Sequence, residues 1–430
     1  MTQNTQICVN DYRIIKKILI LCDIFPPAFA PRMGYLCKYL PGLGWEPIVI
    51  SEYIPQNIFR ELSTYCPNTT FINYYQHNHA VVRTFKYAFV FLADFFFGYK
   101  DRMMTKIAQR QIKSHNISLI LTSSHRFFPL RTAHTLSQKN NLPLVVDLRD
   151  IIEQFPGNEH ISKKFTDRVW LNRILAGILT KKLLRQRNFV LKDADAVTTV
   201  SPWHVAMLKQ FATNVQLVYN GFDPELFVHK KIINSEFKIT YTGRLMSAGL
   251  RDPSLLFEAV SNLHASNQIE PLTFRIQFYT DDESVKILSS MAAQYHISKY
   301  VDCFDYVSNQ KIPDILNESS VLLLLTNKSN GDKTPQGIMT TKIFEYMAVE
   351  KPVLCVRNDE GCLEETIRET RSGIAAGQVE QVELFLMEKY AEWKQTGYTH
   401  QKVDRQKVGQ FSRSEQAKQY AGIFQRLVKT

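Results

Sequence analysis

Short apolar runs alternate with amphipathic segments along the first part of the chain. The run KILILC at residues 17–22 precedes a loop of chain breakers, DIFPPAFAPR, which is followed by the helical pattern MGYLCKYL and the apolar run PIVIS. Short continuous apolar runs between turn residues predict strands that are buried on both faces. The strand–helix–strand alternation therefore predicts a parallel sheet with its functional loops at the carboxyl ends of the strands.

The same alternation continues through the rest of the chain. We predict strands at 118–122, 144–148 and 196–200, and a helix that begins at Ser201-Pro202, where proline suits the first helical position. Asn220-Gly221 has the chemistry of a turn. Beyond it, the apolar runs FKITYT, TFRIQFYT, VLLLLT and VLCV predict a second set of strands. The pattern predicts an α/β protein with two such units.

Composition narrows the class of protein. The chain has 430 residues, 45% hydrophobic and 22% charged, so it can bury a large core without disulfides. Its seven cysteines are scattered, odd in number and form no C-x-x-C, which indicates reduced thiols in a cytosolic compartment. Since the first ten residues are polar and no long apolar run is present, we expect neither a secretory signal nor a membrane span.

The charge indicates an anionic partner. A net charge of +11 suits either nucleic acid or an anionic membrane surface. Residues 81–113 combine eight aromatic side chains with seven lysines and arginines, and residues 163–192 carry Trp170, Ile174 and Ile178 at helical spacing. Such segments are typical of helices that lie in a membrane interface. The alternative is a pair of ordinary amphipathic helices packed on the sheet.

The stretch TPQGIMTTKIFEYMAVEKPVLCV, residues 334–356, carries the clearest candidate chemistry. A loop leads into a helix predicted from Thr341 to Val349, whose first backbone N–H groups suit a phosphate. Thr340 can cap this helix, Lys342 adds a cation, and Glu345 projects from the same face. Amides, a lysine and a carboxylate for two vicinal hydroxyls describe a nucleotide-diphosphate-sugar site. The alternative is an exposed intrahelical Lys342–Glu345 ion pair.

The run KIFEYMAVEKPVL within this stretch resembles the donor-binding motif of the family-four glycosyltransferases, which are retaining enzymes. The family usually carries Glu-x7-Glu, and Glu345 matches the second glutamate, which the resemblance places on the donor ribose. Gly337 stands where the first glutamate is expected. The chain is similar instead to a subgroup with lysine three residues before the glutamate, which is frequent among bacterial surface-polysaccharide transferases.

The resemblance implies a GT-B fold, in which two Rossmann-like domains face each other across a cleft. We expect an acceptor-binding domain at 1–228, a nucleotide-sugar-binding domain at 229–404, and a final helix at 405–430 that packs back on the first domain. The N-G-F-D sequence at 220–223 matches the domain junction of such chains.

Further donor-side residues follow from the same resemblance. Gly34 matches the glycine loop after the first strand, although it could be a simple helix-start glycine. Thr242-Gly243-Arg244 resembles the phosphate clamp, for which the planar fork of arginine is suited. The family expects lysine at the position of Leu250, and Arg251 beside it is a substitute. The donor-binding set is therefore Gly34, Arg244, Arg251, Thr341, Lys342 and Glu345.

Acceptor-side candidates lie at the ends of two predicted strands. His125 follows the strand at 118–122, and the sequence Asp147-Leu-Arg149-Asp150 ends the strand at 144–148, so these side chains should face the cleft. The D-L-R-D form recurs in the lysine-bearing subgroup. Asp150 is the candidate for polarising the acceptor hydroxyl, although it could serve only to orient Arg149. The catalytic set is Asp150, Arg244 and Lys342, and no metal ligand is expected.

The predicted function is transfer of a hexosyl or N-acetylhexosaminyl group, with retention, from a nucleotide-diphosphate-sugar to a hydroxyl of a lipid-linked glycan. The expected partners are the donor, the acceptor and an anionic membrane surface, without nucleic acid or a metal cofactor. The expected location is cytoplasmic, peripheral on the inner face of the membrane. A non-catalytic GT-B scaffold, a nucleotide-sugar epimerase and a DNA-modifying glucosyltransferase are the alternatives.

Overall fold

The structure, a computed structural model, describes residues 15–124, 127–154, 169–247, 249–326 and 338–428. Within these residues the strands form two parallel sheets, as the alternating pattern predicts. The strands are β1 Lys16–Cys22, β2 Trp45–Glu52, β3 Thr69–Ile72, β4 Ile117–Ser124, β5 Leu144–Leu148, β6 Ala196–Thr199, β7 Val215–Leu217, β8 Phe237–Thr242, β9 Phe274–Tyr279, β10 Val301–Phe304, β11 Val321–Leu325, β12 Val353–Val356 and β13 Gly373–Ala376.

Helices cover both sheets. They are α1 Pro31–Tyr39, α2 Arg60–Ser63, α3 Ala80–Phe97, α4 Tyr99–Ser114, α5 Leu130–Asn140, α6 Val169–Asp193, α7 Pro202–Leu208, α8 Ser254–Ala265, α9 Asp282–Gln294, α10 Ile312–Glu318, α11 Lys342–Ala348, α12 Cys362–Thr370, α13 Val379–Thr396, α14 Arg405–Gly409 and α15 Arg413–Leu427. Short 3₁₀ turns at Pro41–Leu43, Ile152–Gln154 and Ser298–Tyr300 connect some of them.

The first sheet has the order β3-β2-β1-β4-β5-β6-β7. Leu19 of β1 pairs with Ile48 on one side and Ile120 on the other, so the strand order reverses next to β1. One face packs against α3, α4, α5 and α6, and the other against α1 and α15. Burial on both faces explains why these strands are continuous apolar runs.

The second sheet repeats this order as β10-β9-β8-β11-β12-β13. Helices α8, α9 and α13 cover one face, and α10, α11, α12 and α14 cover the other. Parallel α/β sheets bind ligands beyond the carboxyl ends of the strands where the order reverses. For this sheet that point lies between β8 and β11. The loop after β8 and helix α11, which follows β11, therefore meet there.

Helix α15 comes last in the chain but packs on the first sheet. Its Phe424 ring lies 5.3 Å from that of Trp45, and Tyr420 donates a 2.6 Å hydrogen bond to Asp147 on β5. The boundary predicted at residue 228 lies between β7 and β8, and Asp404 caps α14 just before the chain returns.

Asp147 does not face a cleft, contrary to the expectation from the strand-end rule. It is fully buried and accepts two hydrogen bonds from Arg32 on α1, at 3.1 and 3.2 Å. Ser123 and Thr198, from the strands on either side, donate to it as well. Asp147 therefore joins helices α1 and α15 to the middle of the sheet.

Helix α3 presents an apolar face to solvent. Of its eighteen residues only Val90 is buried. The exposed large side chains are Val81, Val82, Phe85, Tyr87, Phe89, Phe91, Leu92, Phe95, Phe96 and Phe97. None of the helices in the described ranges combines the length and apolar character that crossing a bilayer requires.

Candidate active site

Helix α11 holds Lys342 and Glu345 at the edge of the second sheet. Four buried side chains anchor it against β11 and β12: Ile343, Phe344, Tyr346 and Met347. Lys342 and Glu345 lie on the remaining face and are partly buried. Thr341, not Thr340, is the residue that precedes the first turn, and its side chain makes no capping hydrogen bond. The predicted helix is correct, but a hydroxyl cap is not.

Lys342 lies against the loop that follows β8. A Cβ placed on Gly243 would be 2.9 Å from both Cε and Nζ of Lys342, and the φ angle of Gly243 is +125°. The same ammonium lies 5.4 Å from the ring centroid of Tyr241. The backbone angle of Gly243 is one that L-residues rarely adopt, and a side chain there would displace the flexible end of Lys342.

The environment changes the acid–base properties of both α11 residues. Burial, and then the charge of Arg251, lowers the pKa of Lys342 to about 8, while Glu345 acts in the opposite direction. Burial raises the pKa of Glu345 to about 7, against the charges of Lys342 and Arg413. Their partial burial argues against the alternative of an exposed surface ion pair. Perturbed pKa values of this kind are a feature of functional sites.

The two arginine candidates have different surroundings. Arg251 donates hydrogen bonds to the Arg244 carbonyl at 2.8 Å and to the Tyr241 hydroxyl at 3.2 Å, beside Lys342. The Arg244 side chain is 64% exposed and pairs with Asp281 at 3.2 Å and with the Tyr306 hydroxyl at 2.9 Å. The structure thus brings Arg251 close to Lys342 and turns Arg244 toward the ends of β9 and β10.

Gly34 has a packing role in the structure. It lies inside α1, and a Cβ on it would be 2.7 Å from Cγ of Pro26 and 3.1 Å from Cβ of Leu62. It therefore lets α1 approach the loop after β1, and it is itself buried. Burial raises the pKa of the next residue, Tyr35, against the charge of Arg413, while Asp223 and Glu345 raise it further.

The acceptor-side candidates lie at the carboxyl ends of the first sheet. Arg149 pairs with Asp23, which follows β1, at 3.2 Å. Asp150 accepts a 3.0 Å hydrogen bond from the side chain of Gln154. His125 lies outside the described residues. The donor-side and acceptor-side candidates are therefore at strand ends of different sheets.

Arg413 is a site residue that the sequence analysis missed. It begins α15, is only 3% exposed, and its guanidinium carbon lies 5.2 Å from the ring centroid of Tyr35. Nη1 donates to Gln416 at 3.0 Å, whereas Nε is buried without a hydrogen-bond partner in the described part of the chain. Burial, followed by the charge of Arg32, lowers the pKa of Arg413 to about 10, while Tyr35, Glu345 and Asp223 oppose this.

A sequence signal for Arg413 does exist. It shares the helical spacing of the buried residues Ala417, Tyr420 and Phe424, which places it on the apolar face of the last helix. A cation on such a face must find partners inside the protein. The ring of Tyr35 on α1 contacts it, and the charge of Glu345 on α11 acts on its pKa, so Arg413 lies near both helices.

Comparisons with known proteins agree with this architecture. A family model described as Glycosyltransferase Family 4 matches residues 32–226. This range runs from α1 to just beyond β7, the last strand of the first sheet. No curated protein matches the sequence significantly.

Solved structures resemble the whole chain. A glycosyltransferase from Rickettsia africae has 15% identity and a TM-score of 0.62, covering 96% of this chain and 99% of that one. HepE from Anabaena, in complex with UDP-glucose, has 16% identity and a TM-score of 0.62, with coverage of 96% and 100%. The lipopolysaccharide outer core galactosyltransferase WaaB has 11% identity and a TM-score of 0.56, with coverage of 95% and 98%. Together with the two parallel sheets, these similarities confirm the predicted GT-B fold.

Proposed function

We propose that this protein is a retaining glycosyltransferase that moves a hexosyl or N-acetylhexosaminyl group from a nucleotide-diphosphate-sugar to a hydroxyl of a lipid-linked glycan in surface polysaccharide biosynthesis. The observation that carries the proposal is the group formed by Lys342, Gly243, Arg251 and Glu345 at the point where the second sheet reverses its order. The family model over the first domain and the UDP-glucose complex of a structural relative support it.

The donor side of the site suits a nucleotide diphosphate. Lys342 and Arg251 supply two cations beside a glycine backbone, which together can neutralise a diphosphate. The Arg244 side chain is mostly exposed, so it can rotate away from Asp281. In that orientation it would add a third cation to the group. The Glu345 carboxylate accepts hydrogen bonds from two vicinal hydroxyls when it is ionised. Charge that develops on the leaving diphosphate would be stabilised by the same cations.

The transfer step needs no side-chain nucleophile. The bond between the anomeric carbon and the diphosphate oxygen breaks, and a bond forms from that carbon to the acceptor oxygen on the same face. The acceptor proton passes to the departing phosphate oxygen, so charge and atoms balance. Asp150, at the end of β5, is proposed to orient the acceptor hydroxyl for this step.

The first domain offers a surface for a lipid-linked acceptor. Beside the apolar face of α3 lies a groove of about 540 Å³ between α4 and α5, lined by Arg102, Lys106, Arg110, Lys113, Arg131 and Lys139, with Asp101 as its one acidic residue. Trp170, Ile174 and Ile178 of α6 are also exposed, and Lys182 of α6 lies 4.3 Å from the ring centroid of Phe95.

Apolar side chains next to a basic groove match an anionic bilayer surface. We propose that α3 and the groove hold the protein at the inner face of the membrane, with the cleft open to its acceptor.

A thermal-shift screen against UDP, GDP, ADP and their sugar conjugates tests the donor site. A ligand that binds only the native state at 100 times its Kd adds about 2.7 kcal/mol of stability. We expect one nucleotide to raise the wild-type midpoint and to fail with Glu345→Gln. Glu258→Gln, an exposed glutamate on α8, is the matched control and should behave as wild type. If none of the nucleotides shifts the wild-type midpoint, the proposal is wrong.

Turnover assays separate a glycosyltransferase from an epimerase and from a non-catalytic scaffold. Once the nucleotide is known, we expect release of nucleoside diphosphate that depends on an added lipid-linked glycan. Conversion of the nucleotide-sugar without an acceptor would indicate an epimerase, and binding without any conversion a scaffold.

Vesicle sedimentation tests the membrane surface. We expect binding to phosphatidylglycerol vesicles but not to phosphatidylcholine vesicles, and a loss of at least tenfold in the Phe95→Ser/Phe96→Ser variant, because burying one such side chain contributes about 1.5–3 kcal/mol. Lys106→Glu/Arg110→Glu should lose binding as well. Leu272→Ser and Lys286→Glu, exposed in the second domain, are the matched controls. Equal binding to both vesicle types would count against an electrostatic membrane surface.

A further inference from the structure

A second cluster of chemically active side chains lies away from the cleft. The ligand-type atoms of His229, Glu350 and His400 all lie within 4.8 Å of one another, the only such group of metal-binding side chains found among the described residues. His400 Nε2 is 4.0 Å from Glu350 Oε2, and the two histidine ring centroids are 5.4 Å apart. Two imidazoles and one carboxylate form a ligand set that divalent transition metals prefer.

His229 is oriented as a ligand. Its Nδ1 lies 2.9 Å from the carbonyl oxygen of Val349, which can only accept a hydrogen bond, so the proton is on Nδ1. Nε2 therefore carries the lone pair, which accepts a 3.3 Å hydrogen bond from the Tyr398 hydroxyl; a metal ion would replace that hydrogen bond. A metal-binding histidine usually donates its other ring N–H to a backbone carbonyl, a carboxylate or water, and this hydrogen bond fixes the tautomer.

Glu350 is held in place by Arg405. The guanidinium donates to both carboxylate oxygens, at 2.7 and 2.9 Å, and the Arg405 side chain is 75% exposed. An ionised carboxylate has about four lone-pair positions, so Glu350 can keep one hydrogen bond from Arg405 and still bind a cation. Oε2, the Glu350 oxygen that faces His400, accepts the 2.9 Å hydrogen bond from Arg405, so a cation would bind its second lone pair against the positive charge of Arg405, which weakens binding.

We propose that His229, Glu350 and His400 bind one divalent transition-metal ion, of which zinc fits the ligand set best. Tetrahedral zinc with bonds of about 2.1 Å needs ligand atoms about 3.4 Å apart. Separations of up to 4.8 Å must therefore shorten by up to about 1.4 Å. His400 can contribute to this movement because it lies in a coil segment and its side chain is 40% exposed. A water molecule would complete the coordination.

The position of the site suggests what the ion would do. His229 follows the segment that leads from the first domain into the second, and His400 precedes the segment that returns to the first domain through α14. Glu350 lies at the end of α11, the helix that carries Lys342 and Glu345. A bound ion would tie both connecting segments to the donor-site helix. Its role is structural, so it is compatible with metal-independent transfer in the cleft.

Zinc titration of the full chain tests the proposal. The protein is stripped with a chelator, dialysed, and titrated with zinc alone by calorimetry, with cobalt absorption as a second readout. We expect one ion per chain and a rise in the thermal midpoint. His400→Ala, His229→Gln and Glu350→Gln should each weaken zinc binding at least tenfold, because each removes one ligand.

The control is His296→Asn, an exposed histidine of the same domain, where asparagine tolerates the positive φ of 58°. It should bind zinc as wild type does. His400→Ala is the decisive variant, because an exposed coil residue can be removed without unfolding the domain. No zinc bound by the wild type, or unchanged affinity in His400→Ala, would overturn the proposal whatever the outcome of the donor screen.

Discussion

The ammonium group of Lys342 lies in the space that a side chain at Gly243 would need, 2.9 Å from the position of its Cβ. This contact joins α11 to the loop after β8, and it places the Lys342 cation against the backbone of Gly243. The proposed donor site depends on it, because the charges of Arg251 and Glu345 both act on the same lysine.

Replacement of Gly243 by alanine should therefore abolish the donor-induced thermal shift. The added methyl group must displace Lys342, and the φ of +125° is strained for any L-residue by about 1–3 kcal/mol. We expect a lower thermal midpoint as well as weaker donor binding. Gly249→Ala is the matched control, because its Cβ would meet only Ser247 Oγ, at 3.9 Å. Normal donor binding by Gly243→Ala would show that Lys342 need not occupy this position.

Donor affinity should be highest between about pH 7 and about pH 8. Glu345 must be ionised to accept hydroxyl hydrogen bonds, and with its pKa at about 7 the affinity should fall as the pH drops below that value. Lys342 must be protonated, and with its pKa at about 8 the affinity should fall as the pH rises above it. The measurement is the Kd of a nucleotide-sugar, whose phosphates do not titrate in this range, from pH 5.5 to 9.5.

Two variants show which residue causes the fall in affinity below about pH 7, the acidic limb, and above about pH 8, the alkaline limb. Glu345→Gln should lose the acidic limb and Lys342→Met the alkaline limb, each with weaker binding overall. A flat profile for the wild type would mean that neither group carries the donor interaction.

Arg251→Met should weaken donor binding more than Arg244→Met. A charge-assisted hydrogen bond contributes about 1.5–3 kcal/mol, so a loss of roughly tenfold to a hundredfold is expected for Arg251. Arg244 is mostly exposed and engaged by Asp281, so its removal should have a smaller effect. The alkaline limb should also move to higher pH in Arg251→Met, because Arg251 lowers the pKa of Lys342. The opposite order of losses would mean that Arg244 turns into the site when the donor binds.

We expect the Arg413→Met variant to fold, and we expect its fall in donor affinity at acidic pH to occur at a different pH. Arg413 forms no ion pair within the described residues, so methionine, which is of similar length, leaves no buried ion-pair partner behind. The charge of Arg413 helps to hold down the pKa of Glu345, so the acidic limb should move to higher pH when that charge is removed. Arg426→Gln, an exposed arginine on the same helix, is the control. An unchanged pH profile would restrict Arg413 to packing.

Asp147→Asn should strongly destabilise the first domain. The neutral amide leaves the buried guanidinium of Arg32 without its counter-charge, which costs about 3–5 kcal/mol. Although burial alone would raise it, the charge of Arg32 holds the pKa of Asp147 below its usual value. Tyr420→Phe, which removes one hydrogen bond to the same carboxylate, should cost only about 1 kcal/mol. Urea unfolding measures both, and similar losses would contradict a charge pair at the centre of the network.

The sequence by itself determined the class of fold and the helix that carries the donor candidates. Short continuous apolar runs between turn residues, such as KILILC and VLLLL, predict buried strands, and the spacing of Lys342 and Glu345 puts them on one side of α11. These are local properties, set by neighbours within a few residues.

The tertiary structure decided which residues meet. Gly243 touches Lys342 because β8 and β11 are neighbours in the sheet, and Arg251, not Arg244, lies beside that lysine because of the path of the intervening loop. Arg413 meets Tyr35 on α1, and Asp147 becomes a buried junction, because α15 returns to the first sheet. His229 meets His400 for a similar reason, since both connecting segments pass the end of α11. Contacts between distant segments depend on strand order and helix packing, which periodicity along the chain does not encode.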